Sequence, residues 1–166
     1  MSYKRNGRIY VDMVADLFHA GHVNFLKQAK ALGDRLIVGI HSDETVASYK
    51  RQPVMTMEER IAVVESCRYV DEVVPNAPLI VSLDYLNRLK IDYLCHADEI
   101  GEETIEKWYG EIRKAGRLKL VPYTPNISTT NLIERVLSQH KNRRSGEKDI
   151  TRDLGQSLAE AIRFDS

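Results

Sequence analysis

Residues 35–41 (RLIVGIH) form an almost unbroken apolar run that is bounded by polar residues. A strand that is apolar on both faces must be covered on both sides, and such strands are typical of parallel sheets. Four more short β-rich runs occur at residues 8–12, 71–74, 92–96 and 119–121, with helical patterns between them. The alternation predicts right-handed crossovers and an α/β fold, a doubly wound five-stranded parallel sheet with helices on both faces.

The helical patterns have recognisable starts and stops. An apolar stripe over residues 23–33 ends at Gly33, and Thr56 with Glu59 forms a capping box for a helix that runs to about Ser66. Further helices are expected at residues 83–89, 103–114 and 130–139.

The chain length of 166 residues fits one domain with a short appendage. We predict a domain over residues 1–139, followed in residues 140–166 by a polar linker (140–148) and a short amphipathic helix. Leu154, Leu158 and Ile162 give that helix a narrow apolar stripe, which favours packing on protein over membrane binding.

Bulk charge excludes some classes of partner. Lys+Arg and Asp+Glu are balanced at 24 each, so no overall field favours nucleic acid or an anionic membrane. No apolar run is long enough to span a bilayer, and no signal peptide precedes the first strand. We therefore expect a cytoplasmic protein in which Cys67 and Cys95 are free thiols.

The segment DLFHAGH, residues 16–22, follows the first strand and opens the first helix. Ligands of open parallel sheets bind at the carboxyl ends of strands, where a helix N-terminus attracts anions. His19 and His22 are spaced to share one helix face, and Gly21 lets a nucleotide approach the backbone. The motif predicts a phosphate site, although histidines satisfied locally at a helix cap are the alternative.

A second candidate segment, ISTTN at residues 127–131, follows the last strand and starts the last helix. Ser128, Thr129 and Thr130 can cap that helix, and they can also donate to a second anion. Two helix N-termini at one sheet edge would form the two-ended clamp that a triphosphate needs.

Four basic residues complete the candidate set: Lys50, Arg51, Arg60 and Arg68. Solvated surface is the default expectation for each one. Phosphoryl transfer nevertheless requires cations, because its transition state concentrates negative charge.

These stretches together resemble the cytidylyltransferases of phospholipid and teichoic-acid precursor synthesis, most closely the ethanolamine-phosphate branch. The resemblance covers about residues 8–139 and rests on the segments at 17–34, 35–44, 53–60, 68–78 (RYVDEVVPNAP) and 127–136, with Lys50. HxGH also occurs in adenylyltransferases and class I aminoacyl-tRNA synthetases, whereas RYVDEV together with ISTT is more specific.

The resemblance implies a Rossmann-like enzyme that transfers CMP from CTP to a small phosphorylated or phosphonate alcohol and releases pyrophosphate. It implies direct in-line attack, a homodimer with RYVDEV near the interface, and Mg²⁺ held mainly by the phosphates rather than by protein side chains. By position, the catalytic residues would be His19, His22 and Lys50, with Lys50 also contacting the acceptor beside Tyr109. The CTP-binding positions would be Val14, Ala15, Asp16, Gly21, Arg68, Asp98, Ser128, Thr129 and Thr130.

The chain departs from the family pattern in three places. Residues 13–16 (MVAD) replace a Gly-Thr-Phe-Asp-like stretch, residues 123–126 (YTPN) replace Arg-Thr-x-Gly, and Ala97 replaces a glycine before Asp98. These changes point to an unusual acceptor. With aromatic residues at 7% and Trp108 the sole tryptophan, a full cage for choline is hard to assemble. We expect an ethanolamine-like or hydroxyethyl-like head group held by Asp98, Glu99 and nearby backbone.

Two other functions compete with this one. An ATP-dependent adenylyltransferase would use the same phosphate clamp. A regulatory module that binds nucleotide without turnover would explain the altered MVAD and YTPN stretches, but it has little use for two histidines, Lys50 and ISTT together.

Overall fold

The structure is a computed structural model that describes residues 7–143. The chain divides into two compact units, Met1–Thr129 and Thr130–Ser166. In the described part of the first unit, the strands are β1 (Arg8–Met13), β2 (Arg35–Ile40), β3 (Glu72–Pro75), β4 (Tyr93–Ala97) and β5 (Leu118–Val121). The helices are α1 (Ala20–Lys30), α2 (Asp43–Ala47), α3 (Met57–Glu65), α4 (Leu83–Arg88) and α5 (Glu102–Lys114). The described residues of the second unit, 130–143, are helical throughout.

The five strands form one parallel sheet in the order β3-β2-β1-β4-β5. The chain moves outward from β1 through β2 to β3, and then returns to the other side of β1 for β4 and β5. The direction of winding therefore reverses between β1 and β4, which creates a crevice at the carboxyl ends of these strands. The β1–α1 loop lies at this crevice.

Each face of the sheet carries its own core. Ile9 and Val11 of β1 pack with residues of α1 and α3 on one face, whereas Tyr10 packs with residues of α4 and α5 on the other. Gly39 makes room for Tyr10, because a β-carbon at Gly39 would lie 2.0 Å from the Tyr10 hydroxyl. The alternation along β1 thus accounts for helices on both faces.

All five predicted strands and the predicted α/β class are confirmed, with strand ends shifted by one residue at most. The short helix α2 was not predicted, because five residues carry no apolar period; its signal is the Ser42 cap, whose hydroxyl accepts from Thr45 N. Residues 140–143 are helical, so the beginning of the predicted linker continues the last helix. The rest of that linker and the C-terminal amphipathic helix lie outside the described residues.

Candidate functional site

The two histidines of the HxGH motif form the start of α1. His19 is the N-cap residue, and its Nδ1 accepts a hydrogen bond from Gly21 N at 3.1 Å. His22 returns the contact, because its Nδ1 accepts from His19 N at 3.2 Å. The pair is therefore a capping box built from imidazoles instead of the usual hydroxyl and carboxylate. The rings stack with their centroids 3.9 Å apart.

This capping arrangement determines which nitrogen of each ring carries a proton. An Nδ1 that accepts a backbone N–H has no proton of its own, so each neutral ring must carry its proton on Nε2. Burial lowers the pKa of His19. Burial, followed by the proximity of His19, lowers the pKa of His22 to about 4; Asp16 opposes this shift, and Lys50 adds the smallest lowering effect. Both histidines are consequently neutral Nε2–H donors near neutral pH.

Gly21 is required by the histidine beside it. A β-carbon at this position would lie 2.9 Å from Cε1 and 3.0 Å from Nδ1 of His19, and 3.1 Å from Cγ2 of Ile127. The glycine therefore lets the His19 ring fold back over the helix start. It also brings the beginning of the ISTT segment against the HxGH motif.

Asp16 organises the loop that connects β1 to α1. Its side chain is only 4% exposed and accepts hydrogen bonds from Val54 N at 3.1 Å and Met55 N at 3.0 Å. Arg51 Nη2 lies 3.3 Å from the same carboxylate. The residues on either side of Asp16, Ala15 and Leu17, have left-handed backbones with φ of 58° and 45°. The carboxylate is thus held inward, on the segment that follows Lys50.

Arg60 is fully buried and does not belong to the solvated surface that was its default expectation. Its guanidinium donates to Val14 O, to His41 O at 2.9 Å, and to Asp43 Oδ1 at 2.6 Å. These partners follow β1, follow β2 and begin α2. Arg60 therefore joins the carboxyl ends of two strands rather than presenting a charge to a ligand.

The ISTT segment and Asp98 lie at the same edge of the sheet. Thr129 Oγ1 donates to Asp16 O at 2.9 Å, which connects ISTT to the β1–α1 loop. Asp98 follows β4, and its carboxylate accepts from Tyr123 N at 2.9 Å, so it lies beside the segment that follows β5. In that segment Thr124 accepts from Asn24 of α1 at 2.6 Å. The altered YTPN stretch therefore makes specific contacts of its own.

Lys50 follows α2 and is exposed. Its Nζ lies 5.6 Å from the centroid of the Tyr49 ring. Its charge is among the causes that lower the pKa of His22, after burial and His19. Arg51, the next residue, pairs with Asp16 of the β1–α1 loop at 3.3 Å, so the structure brings the segment that begins at Lys50 to the side of the HxGH motif, although Lys50 and His22 are 28 residues apart.

Sequence reasoning missed a buried polar group beside this site. The side chain of Asp12, at the carboxyl end of β1, is 4% exposed and lies 3.4 Å from His41 Nε2. The hydroxyl of Tyr109 donates to Asp12 at 3.3 Å, and His41 Nδ1 lies 3.1 Å from Ala77 O. An available signal was the position of an aspartate near the end of a central parallel strand, on the face that buries Tyr10. Tyr109, predicted to contact the acceptor, belongs to this group.

Two of the predicted site residues, Arg68 and Thr130, are not placed at the carboxyl edge of the sheet by the contacts described for the first unit. Arg68 is exposed and precedes β3, next to Asp71, whose backbone and carboxylate bond to Leu36 near the amino end of β2. The amino ends of parallel strands lie opposite the crevice, so in this chain Arg68 is remote from the HxGH motif. Thr130 begins the second unit.

Residues 7–143 contain no group of three or more His, Cys, Asp or Glu side chains that could hold a metal ion. In the same range, none of the helices is both long enough and apolar enough to cross a bilayer.

Solved structures share the fold. A lipopolysaccharide core biosynthesis protein from Thermoplasma volcanium is 24% identical with a TM-score of 0.58, and the match covers 72% of this chain and 98% of that one. Pantothenate synthetase from Thermus thermophilus is 15% identical with a TM-score of 0.53, over 79% and 63% of the two chains. At these identities the likeness concerns the fold alone.

Sequence relatives are closer. Ethanolamine-phosphate cytidylyltransferase is 40% identical over 146 residues in Mus musculus and over 149 residues in Dictyostelium discoideum, covering 85% and 87% of this chain. Choline-phosphate cytidylyltransferase A from Rattus norvegicus is 38% identical over 143 residues, or 82% of this chain. The matches span only 35%, 41% and 38% of those relatives.

The family model described as cytidylyltransferase-like matches residues 13–135, a range that contains the HxGH motif, Lys50 and the ISTT segment. This chain belongs to the cytidylyltransferase-like family.

Proposed function

We propose that this protein is a CTP-dependent cytidylyltransferase that joins CMP to a small phosphorylated or phosphonate alcohol and releases pyrophosphate. The observation that carries the proposal is the pair of neutral Nε2–H donors at the start of α1. They lie beside the ISTT segment, and Arg51, which follows Lys50 directly, pairs with Asp16 of the same loop.

The HxGH and ISTT segments together would clamp a triphosphate. Uncharged imidazole donors and the N-terminus of α1 stabilise anionic oxygens without drawing a proton from them. Ser128 and Thr129 lie in the segment that contacts the β1–α1 loop. The hydroxyl of Thr129 is oriented by its hydrogen bond to Asp16 O. We assign the α-phosphate to the histidines and the β- and γ-phosphates to the hydroxyl groups of Ser128 and Thr129.

The reaction follows from positioning. An oxygen of the acceptor phosphate or phosphonate attacks the α-phosphorus of CTP, the new O–P bond forms, and the bond to the β-phosphate oxygen breaks in line. Negative charge grows on the equatorial oxygens, towards which the His19 and His22 Nε2–H groups would donate. Lys50 would hold the acceptor phosphate and the α-phosphate together. No covalent enzyme intermediate is needed.

Mg²⁺ fits this site only as a companion of the triphosphate. The part of the chain that the structure describes has no group of three or more His, Cys, Asp or Glu side chains that could hold the ion. The ion would neutralise phosphate charge, and we assign it no protein side chain.

The acceptor head group is proposed to lie near the Asp12–His41–Tyr109 group. Tyr49 and Trp108 border this group, with ring centroids 6.0 Å apart in an edge-to-face contact. A carboxylate, an imidazole and a phenol provide hydrogen-bonding partners, which a quaternary ammonium cannot use and a primary ammonium or hydroxyl can. An ethanolamine-like or hydroxyethyl-like head group is therefore preferred to choline. Asp98 is left for the nucleoside.

The proposal also includes a homodimer whose interface uses β3 and the RYVDEV segment. It places the protein in the cytoplasm. The support for the dimer is the family resemblance, together with the position of β3 at the edge of the sheet.

Pyrophosphate release tests the function directly. Purified protein with Mg²⁺ is given CTP or ATP, each with phosphoethanolamine, 2-hydroxyethylphosphonate or phosphocholine. We expect turnover with CTP and one of the first two acceptors. Preference for ATP would identify an adenylyltransferase, and the highest kcat/KM with phosphocholine would refute the head-group assignment. CTP binding in calorimetry without turnover on any acceptor would favour the regulatory module.

A further inference from the structure

The segment after Lys50 is anchored at its two ends, where Lys50 N donates to Val46 O at 2.9 Å and Met55 O accepts from Arg60 Nε at 3.3 Å. Residues 51–56 have no helix or strand, and Val54 is 59% exposed although it is apolar. The irregular stretch between these ends is costly to order unless it also contacts a neighbouring element, because free backbone loses conformational entropy when it is fixed.

Asp16 supplies that contact from the neighbouring loop. Its buried carboxylate accepts two consecutive backbone N–H groups, those of Val54 and Met55, and pairs with Arg51. Bonds between a carboxylate and backbone amides are stronger than those between neutral groups, and a buried acceptor that loses its donors is penalised. Arg51, which makes this ion pair, directly follows Lys50 in the sequence.

Asp16 also belongs to the HxGH loop. Its carbonyl oxygen accepts from Thr129, and three residues later His19 caps α1. One residue is therefore bonded to the Lys50 segment through its side chain and to the ISTT segment through its backbone.

From this arrangement we propose that Asp16 is a positioning residue that latches the segment 51–55 to the HxGH loop and thereby keeps Lys50 beside His22. The inference rests on the proposed function, in which Lys50 contacts the acceptor and α-phosphates. In this proposal the Asp16 side chain positions Lys50 and does not contact CTP.

A double-mutant cycle measures this dependence. If Asp16 acts through Lys50, Asp16→Ala should lower kcat/KM for the acceptor by about tenfold to a hundredfold, as small displacements of a catalytic group do. In a Lys50→Ala background the same change should cost less than about twofold, because the group it positions is absent. Equal losses in both backgrounds would overturn the latch.

Matched variants separate the latch from general damage. Asp92→Ala removes a carboxylate that also accepts a backbone N–H, that of Arg8 at 2.7 Å, but at the amino edge of the sheet. It should leave kcat/KM for the acceptor unchanged. Arg51→Gln changes a side chain that is 47% exposed, so it tests the ion pair even if Asp16→Ala fails to fold. Its smaller loss must also disappear in the Lys50→Ala background.

Amide exchange tests the latch without any enzyme assay. Asp16→Ala, or Asp16→Asn if the alanine variant does not fold, should speed exchange at residues 54 and 55 while leaving β1 and β2 unaffected. Unchanged exchange at both amides refutes the latch, whatever the activity. Faster exchange in a protein that shows no turnover with CTP would instead refute the proposed function and keep the latch.

Discussion

The centroids of the His19 and His22 imidazole rings lie 3.9 Å apart, and each Nδ1 accepts a backbone N–H, that of Gly21 for His19 and that of His19 for His22. Helix capping and presentation of Nε2–H are therefore performed by different atoms of the same side chain. The two roles can be separated by substitution.

His19→Asn should keep the cap and lose the donor. Asparagine is among the best N-cap residues, so the melting temperature should stay close to that of the wild type. Loss of a preorganised donor should lower kcat by about 10²-fold. Thermal unfolding together with steady-state kinetics checks both parts, and His19→Ala serves as the comparison that loses both. An active His19→Asn protein would remove His19 from the catalytic set.

Acid should destabilise the fold through His22. Its pKa is about 4 in the folded chain, against an ordinary value of 6.5, so between these values the unfolded chain binds more protons. Stability that is present above pH 6.5 is therefore lost as the pH falls towards 4, at no more than about 1.4 kcal/mol per pH unit for this group.

Urea unfolding at pH 7, 6 and 5 measures that slope. His22→Gln supplies the control, because glutamine at this helix position can still accept from the N-cap backbone and does not titrate. The variant should lose less stability than the wild type over this interval. Identical slopes would show that His22 is not the group responsible.

Gly21→Ala should displace the His19 ring, because the added β-carbon would lie 2.9 Å from Cε1 of that ring. Activity should fall with the loss of the cap. Gly101→Ala is the matched control at the start of α5, where an added β-carbon has no neighbour within 4 Å. Equal kinetics for the two variants would contradict the close contact at Gly21.

Arg60→Met should lower the free energy of unfolding by about 3 kcal/mol, because it leaves Asp43 and two strand-end carbonyls without their donor. Arg88→Ala, which removes an exposed pair with Asp84, should cost less than about 0.5 kcal/mol. Chemical denaturation of both variants decides whether Arg60 is structural. A small loss at Arg60 would contradict this structural role.

Most of the fold could be predicted from patterns among residues that are close in sequence. The apolar run of β2 and the capping box of Thr56 and Glu59 depend on neighbours in sequence, and both occur as predicted. The roles of Asp16 and Arg60 could not be predicted in this way. The Asp16 carboxylate bonds to residues 35 to 39 positions away, and Arg60 bonds to Val14, His41 and Asp43, which are 46, 19 and 17 positions away. Asp12 was missed for the same reason, because its partner His41 follows the neighbouring strand β2 and is distant in sequence.

The contact of Trp108 with Tyr49 has a spectroscopic consequence. Trp108 is the only tryptophan of the chain, and the ring of Tyr49, which precedes Lys50, meets it edge to face at 6.0 Å. The fluorescence of Trp108 is therefore an intrinsic reporter of the segment that contains Lys50. Occupation of the proposed acceptor site, or release of the segment, would be visible as a change in emission from a protein without any label.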